Sequence, residues 1–133
     1  MTLDIIGWTE AYLRYKDSIK RSISKIDVLK DKGEIVCVMK DGSTHKYLCV
    51  DNLIELDASN LDNVRVSCLN TKVNFDWLIN NWSVLKNVNI IFLFANPQRA
   101  MHWTINPKIH DNITDKGSIK SGLLSLFESV PEV

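Results

Sequence analysis

The chain has 133 residues, 45% hydrophobic and 24% charged, and its 16 basic and 16 acidic side chains give a formal net charge of zero. That length fits one domain, 1–133, able to bury a core without metal or disulfide help. Balanced charge excludes bulk binding to nucleic acid or anionic lipid as the main activity, because both need a positive field.

The first predicted element is a helix. Trp8, Tyr12, Tyr15, Ile19, Ile23 and Ile26 recur every third or fourth position and would share one face. Thr9 fits its N-cap, with Glu10 in the first turn and Trp8 and Leu13 stapled across the cap. Arg14, Lys20, Arg21 and Lys25 lie on the outer face, as a solvated surface or a phosphate-contacting patch. Ile35–Met39 and His45–Val50 then flank Asp41-Gly42, a strong hairpin signal. A two-residue loop there would set Val38 opposite His45 and Val36 opposite Tyr47. Ile26–Lys30 reads as a short preceding strand that turns at Lys32-Gly33. Residues 51–63 read as irregular, with Leu53, Ile54 and Leu56 tucked onto the sheet.

Val64–Leu69 is the next strand. Asn74 is the expected N-cap of a second helix, whose buried stripe is Phe75, Leu78, Ile79, Trp82 and Leu85 and whose end is Asn87 in a left-handed conformation. Val88–Ala95 is apolar at nearly every position, so it reads as a strand buried on both faces. Strand, helix and strand in so short a span form a βαβ unit with parallel strands. Residues 96–115 break the pattern between two Asn-Pro steps, with His102–Ile105 as a short edge strand. A last helix runs from about Ser118 to Val130, its apolar face formed by Ile119, Leu123, Leu126, Phe127 and Val130, and Pro131 stops it. The fold class is therefore α/β (α+β-like): a single domain with a mixed sheet, an αβββαβ core plus a C-terminal helix, and helices covering the sheet.

The longest apolar run is too short to span a bilayer, and the start Met1-Thr2-Leu3-Asp4-Ile5-Ile6 lacks the basic and apolar regions of a signal peptide. Cys37, Cys49 and Cys68 are odd in number, lack C-x-x-C spacing and sit in strand-like runs, as reduced core residues of a cytoplasmic protein do. The Asn112-Ile113-Thr114 sequon then has no use, since glycosylation requires secretion. His45, His102 and His110 do not have metal-ligand spacing, and no glycine-rich loop offers a phosphate cradle, so neither metal nor cofactor is expected.

The element order resembles the core of the PD-(D/E)xK nuclease-like superfamily over about residues 8–95. Asp51 stands at the end of the second core strand, where that superfamily carries an acid, and Asn70-Thr71-Lys72 occupies the place of its acid-x-Lys triplet. The resemblance implies Asp51, Asn70 and Lys72 as the catalytic positions. Asn70, however, replaces a metal-binding carboxylate with an uncharged amide, which weakens attraction for a hard cation. The expectation is a non-catalytic interaction module, a decayed nuclease-like domain contacting a protein or nucleic-acid partner. Its contacts would come from Arg99, His102, Trp103, Lys108 and His110 in the 96–111 stretch and from Arg14, Arg21 and Lys25 on the first helix. The alternatives are a metal-dependent nuclease using Asp51 and Lys72 with Asp57 or Glu55 as the recruited acid, and a structural subunit forming a homodimer through an edge strand.

Overall fold

A computed structural model describes residues 4–133; the first three residues, part of the stretch read as lacking a signal peptide, lie outside the described residues. The elements in order are α1 (Ile5–Lys20), β1 (Ile23–Leu29), β2 (Glu34–Met39), β3 (Thr44–Cys49), β4 (Val64–Leu69), α2 (Lys72–Asn80), α3 (Trp82–Leu85), β5 (Ile90–Asn96), β6 (Met101–Ile105), α4 (Pro107–Ile113) and α5 (Ile119–Glu128). The six strands form one mixed sheet in sequence order. The β3–β4 and β4–β5 pairs are parallel, and the β1–β2, β2–β3 and β5–β6 pairs are antiparallel. The βαβ unit expected over residues 64–95 is present, and β1 and β6 extend the sheet to either side.

Side chains alternate across a strand, so the sheet divides the core in two. One face carries Val66, Cys68, Phe92 and Phe94 against α2, α3 and α5. Leu53, Ala58 and Leu61, from the β3–β4 connection, join the same cluster, whereas Ile54 stays 74% exposed, contrary to expectation. The opposite face carries Ile35, Cys37, Tyr47, Cys49 and Leu93, and α1 alone packs on it through Ile5, Ile6, Trp8 and Leu13. Crowding the helices onto one face leaves a single helix over a six-stranded sheet. Its margin, at His45, Arg65, Ile91 and His102, stays partly exposed.

Several local expectations are corrected. The N-cap of α1 is Asp4, whose Oδ1 accepts from the Gly7 amide at 2.8 Å. Thr9 instead lies buried inside the helix, donates to the Ile5 carbonyl at 2.7 Å and meets the Ser67 hydroxyl at 2.6 Å. The helix is thus rotated from the predicted face: Tyr15 and Ile19 are each 70% exposed, and Ile23 and Ile26 belong to β1. A Thr matched to a Ser on the sheet, rather than an unbroken apolar stripe, sets the buried side.

The hairpin is one residue out of the predicted register, with Val38 opposite Thr44 and Cys37 opposite His45. The Met39 carbonyl accepts from the Gly42 amide at 3.0 Å, and the Met39 amide donates to the Ser43 carbonyl at 2.8 Å. Lys40-Asp41-Gly42 is therefore a three-residue loop, with Gly42 at φ 89°. Asp41 selects it, since its Oδ1 accepts from both the Ser43 amide at 2.8 Å and the Ser43 hydroxyl at 2.6 Å.

The N-cap of α2 is Thr71 and not Asn74. Asn74 is buried one turn in, where its side chain accepts from Leu53 N and donates to the carbonyls of Asp51 and Leu69, all at 2.8 Å. The predicted continuous helix breaks at Asn81 into α2 and α3, and Lys86, not Asn87, follows its end. Trp82 is half-buried rather than fully enclosed, with its indole N–H on Asp111 Oδ1 at 3.0 Å. The supposed irregular stretch 96–115 holds β6 and α4; Asn106 caps α4 by accepting from the Ile109 amide at 3.2 Å, and Pro107 fills its first turn.

Candidate functional site

The proposed catalytic triplet comes from neighbouring strand ends, but its side chains are engaged in different ways. Asn70 is fully buried. Its Oδ1 accepts the Trp103 indole N–H at 2.8 Å, and its Nδ2 donates to the Val130 carbonyl at 3.0 Å. The Asn70 amide and carbonyl of the backbone are also used, on Ala95 at 2.8 Å and Val133 at 3.0 Å. Asn70 thus ties β4, β6 and the C-terminal segment together. Asp51 is exposed, and Lys72 reaches along its own helix to Asp76 at 2.6 Å. Among the described residues, no group of three His, Cys, Asp or Glu side chains is arranged to hold a metal ion.

The predicted contact set also separates. Trp103 is buried as Asn70's donor, and His110 packs edge-on against Trp82 with ring centroids 5.9 Å apart. Arg99 and Lys108 are exposed. Arg14 pairs with Glu10 at 2.9 Å, Lys25 pairs with Asp27 at 3.5 Å, and Arg21 is the left-handed residue (φ 50°) that ends α1. Only His102 of that set reaches a concave surface, the cleft between α1 and the sheet.

This cleft encloses about 420 Å³. It lies where the C-terminal half of α1 passes over the amino-terminal ends of β3, β4 and β5. Lys16, Asp17 and Lys20 form the helix wall; His45, Arg65 and Ile91 project from the three parallel strands. His102 and Thr104 of β6 complete the far side. Alternation explains why: Arg65 shares its face of β4 with Ser67, which touches α1, and pairs in register with Tyr47 and Ile91. The charged Arg65 inside the strand run Val64–Leu69 is the one sequence signal that could have pointed here. Spacing places Tyr12 on the apolar face of the first helix and Lys20 on its outer face and singles out neither Lys16 nor Arg65, because the cleft joins elements distant along the chain.

The cleft is both aromatic and cationic. Tyr12 stacks on Trp8 at 5.3 Å and 8°, and the His102 ring meets Tyr12 at 4.7 Å. Lys16 Nζ stands 5.7 Å from the Tyr12 centroid and the Arg65 guanidinium 5.8 Å from that of Tyr47. Among the described residues, no carboxylate pairs with Lys16, Lys20 or Arg65. Asp17, the one acid lining the cleft, accepts the Ser22 and Ile23 amides on Oδ1, each at 2.8 Å.

Burial pushes the His102 pKa down, and Lys16 adds to the shift; burial and then Arg65 do the same at His45. Both imidazoles are consequently neutral at pH 7. Burial raises Tyr47 to about 12 and raises Cys37, against the opposing pull of Arg65. Neither group is primed as a nucleophile, since activation requires a lowered pKa or an adjacent base. The geometry suits holding an anion. No family model, no curated protein and no solved structure matches the chain.

Proposed function

We propose that this protein is a non-catalytic interaction module that recognises an anionic partner in the cleft beneath α1. One observation carries the reading: Lys16, Lys20 and the partly buried Arg65 converge on a concave site whose single carboxylate is already occupied by backbone amides. A partly buried guanidinium without a carboxylate partner is costly to keep, and a bound anion would offset that cost. Zero net charge sharpens the point, because attraction is then confined to one place instead of spread over the surface.

The metal-dependent nuclease alternative would have to work without Asn70, whose amide is spent on Trp103 and Val130. It would rest on Asp51 and Lys72 with Asp57 or Glu55, and Asp57 Oδ1 already accepts from the Ser59 amide at 3.0 Å and its hydroxyl at 2.7 Å. No described helix is long and apolar enough to cross a membrane. Three free, buried cysteines fit a reducing, cytoplasmic setting for the module.

Calorimetric titration with inorganic tripolyphosphate tests the reading. The wild type should bind, and Lys16→Glu and Arg65→Gln should each weaken binding by about tenfold, near 1.4 kcal/mol. Equal affinity in all three proteins would sink it. Lys16 is exposed, so Lys16→Glu should leave the fold intact and keep the test decisive.

A further inference from the structure

We infer that the α1 cleft is built for a nucleotide unit: a phosphate held by the basic wall, with a flat ring placed against Tyr12 and His102. The inference rests on the binding role proposed above and adds the ligand's chemical class. A bare phosphate would use Lys16, Lys20 and Arg65 but leave the partly exposed apolar floor of Ile23, Met39 and Ile91 wet. A purely apolar ligand would cover that floor and strand the cations. A ligand with an anion at one end and a flat, partly apolar ring at the other satisfies both halves.

The remaining features favour a heteroaromatic base as that ring. Tyr12 is half-buried, held by the near-parallel Trp8 and overlain by the exposed Lys16, whose Nζ stands 5.7 Å from the ring centroid, so a base stacks on Tyr12 as Lys16 swings aside to the phosphate. Aromatic platforms of this kind receive bases with little dependence on sequence. His102 and His45, both neutral, each present one ring nitrogen that donates and one that accepts, and Thr104 and Ser22 add hydroxyls. These groups pair with base edges and sugar hydroxyls, and an alkyl chain would leave them unsatisfied. A cleft of about 420 Å³ falls within the range of small-molecule sites, roughly 300–1,000 Å³. A free mononucleotide and one nucleotide of a single strand share this chemistry.

The full chain is titrated with AMP, adenosine, inorganic phosphate and a short oligo-dA strand, by calorimetry at low salt. AMP should bind at least about tenfold more tightly than either adenosine or phosphate, because only AMP engages both halves. AMP and oligo-dA should compete, and whichever binds more tightly identifies the source of the nucleotide. Tyr12→Ala should weaken AMP by about tenfold while leaving phosphate unchanged; Tyr12→Phe should restore AMP binding, which separates loss of the ring from loss of the fold. The inference is overturned if AMP binds no better than phosphate, or if Tyr12→Ala has no effect on it. In either case, phosphate binding that still responds to Lys16→Glu leaves the anion-binding reading standing. Indifference of every probe to Lys16→Glu overturns both.

Discussion

Asn70 is the residue whose role changes most between sequence and structure. Its position suggested a lost metal ligand, yet its amide donates to the Val130 carbonyl and accepts from Trp103. Asn70→Asp would remove the donor and bury a charge against a carbonyl, costing about 3 kcal/mol in urea unfolding. It should also gain no Mg²⁺-dependent cleavage of DNA or RNA; a stable, metal-dependent Asn70→Asp enzyme would return the nuclease reading to first place. The two histidines of the cleft make a second residue-scale prediction. His102 is faced by Tyr12 and Lys16 of α1, and His45 by Arg65 and Asp41. Both have pKa values lowered below the ordinary imidazole value of 6.5. In the window just below that value the unfolded chain binds protons the folded chain does not, so stability rises with pH there. This contribution is present above the unfolded pKa and lost as pH falls through the folded one. Anion binding has the opposite dependence, because a bound anion favours imidazolium: affinity should rise on acidification through the same window, and His102→Gln should flatten that rise.

Elements with a simple hydrophobic period were legible in the sequence, and those fixed by one polar side chain were not. β4, β5, α5 and the parallel β4–β5 pair follow from apolar runs and a short helical crossover. The face of α1 was misjudged because Thr9 reads as a cap in one dimension and is a buried contact to Ser67 in three. The hairpin register slipped by one because Asp-Gly fits either a two- or a three-residue loop, and the Asp41–Ser43 bonds decide between them. His102–Ile105 is readable as an edge strand, but α4 is hidden behind the Asn106-Pro107 step, which reads as a turn and is the helix's cap and first residue. The cleft was least legible, since Tyr12, Arg65 and His102 meet only after the sheet has formed. Two element-scale measurements follow. Asp4→Ala removes the true cap of α1 and should cost about 1 kcal/mol, whereas Thr9→Ala should cost more by also stranding the Ser67 hydroxyl. Trp82→Ala should cost about 3 kcal/mol, from a cavity between α3 and α4 and the loss of the bond to Asp111.

At the scale of the molecule, the candidate site follows from an uneven distribution of helices. α2, α3 and α5 seal one face of the sheet, and α1 is too narrow to seal the other. The uncovered margin lies at the amino-terminal ends of the parallel strands, where Arg65 and His45 stand ready beneath the basic end of α1. The C-terminal segment, pinned by Asn70 and by Asn96 Nδ2 on the Pro131 carbonyl at 2.9 Å, closes the opposite end. The proposed recognition site is therefore the cleft under α1, and the Arg99 and Lys108 surfaces lie outside it. Mapping backbone amide shifts of the whole protein during titration with inorganic tripolyphosphate tests this most directly. The account predicts perturbations grouped at Lys16, Asp17, Lys20, His45, Arg65 and His102; perturbations centred instead on Arg99, Lys108 and α4 would contradict it.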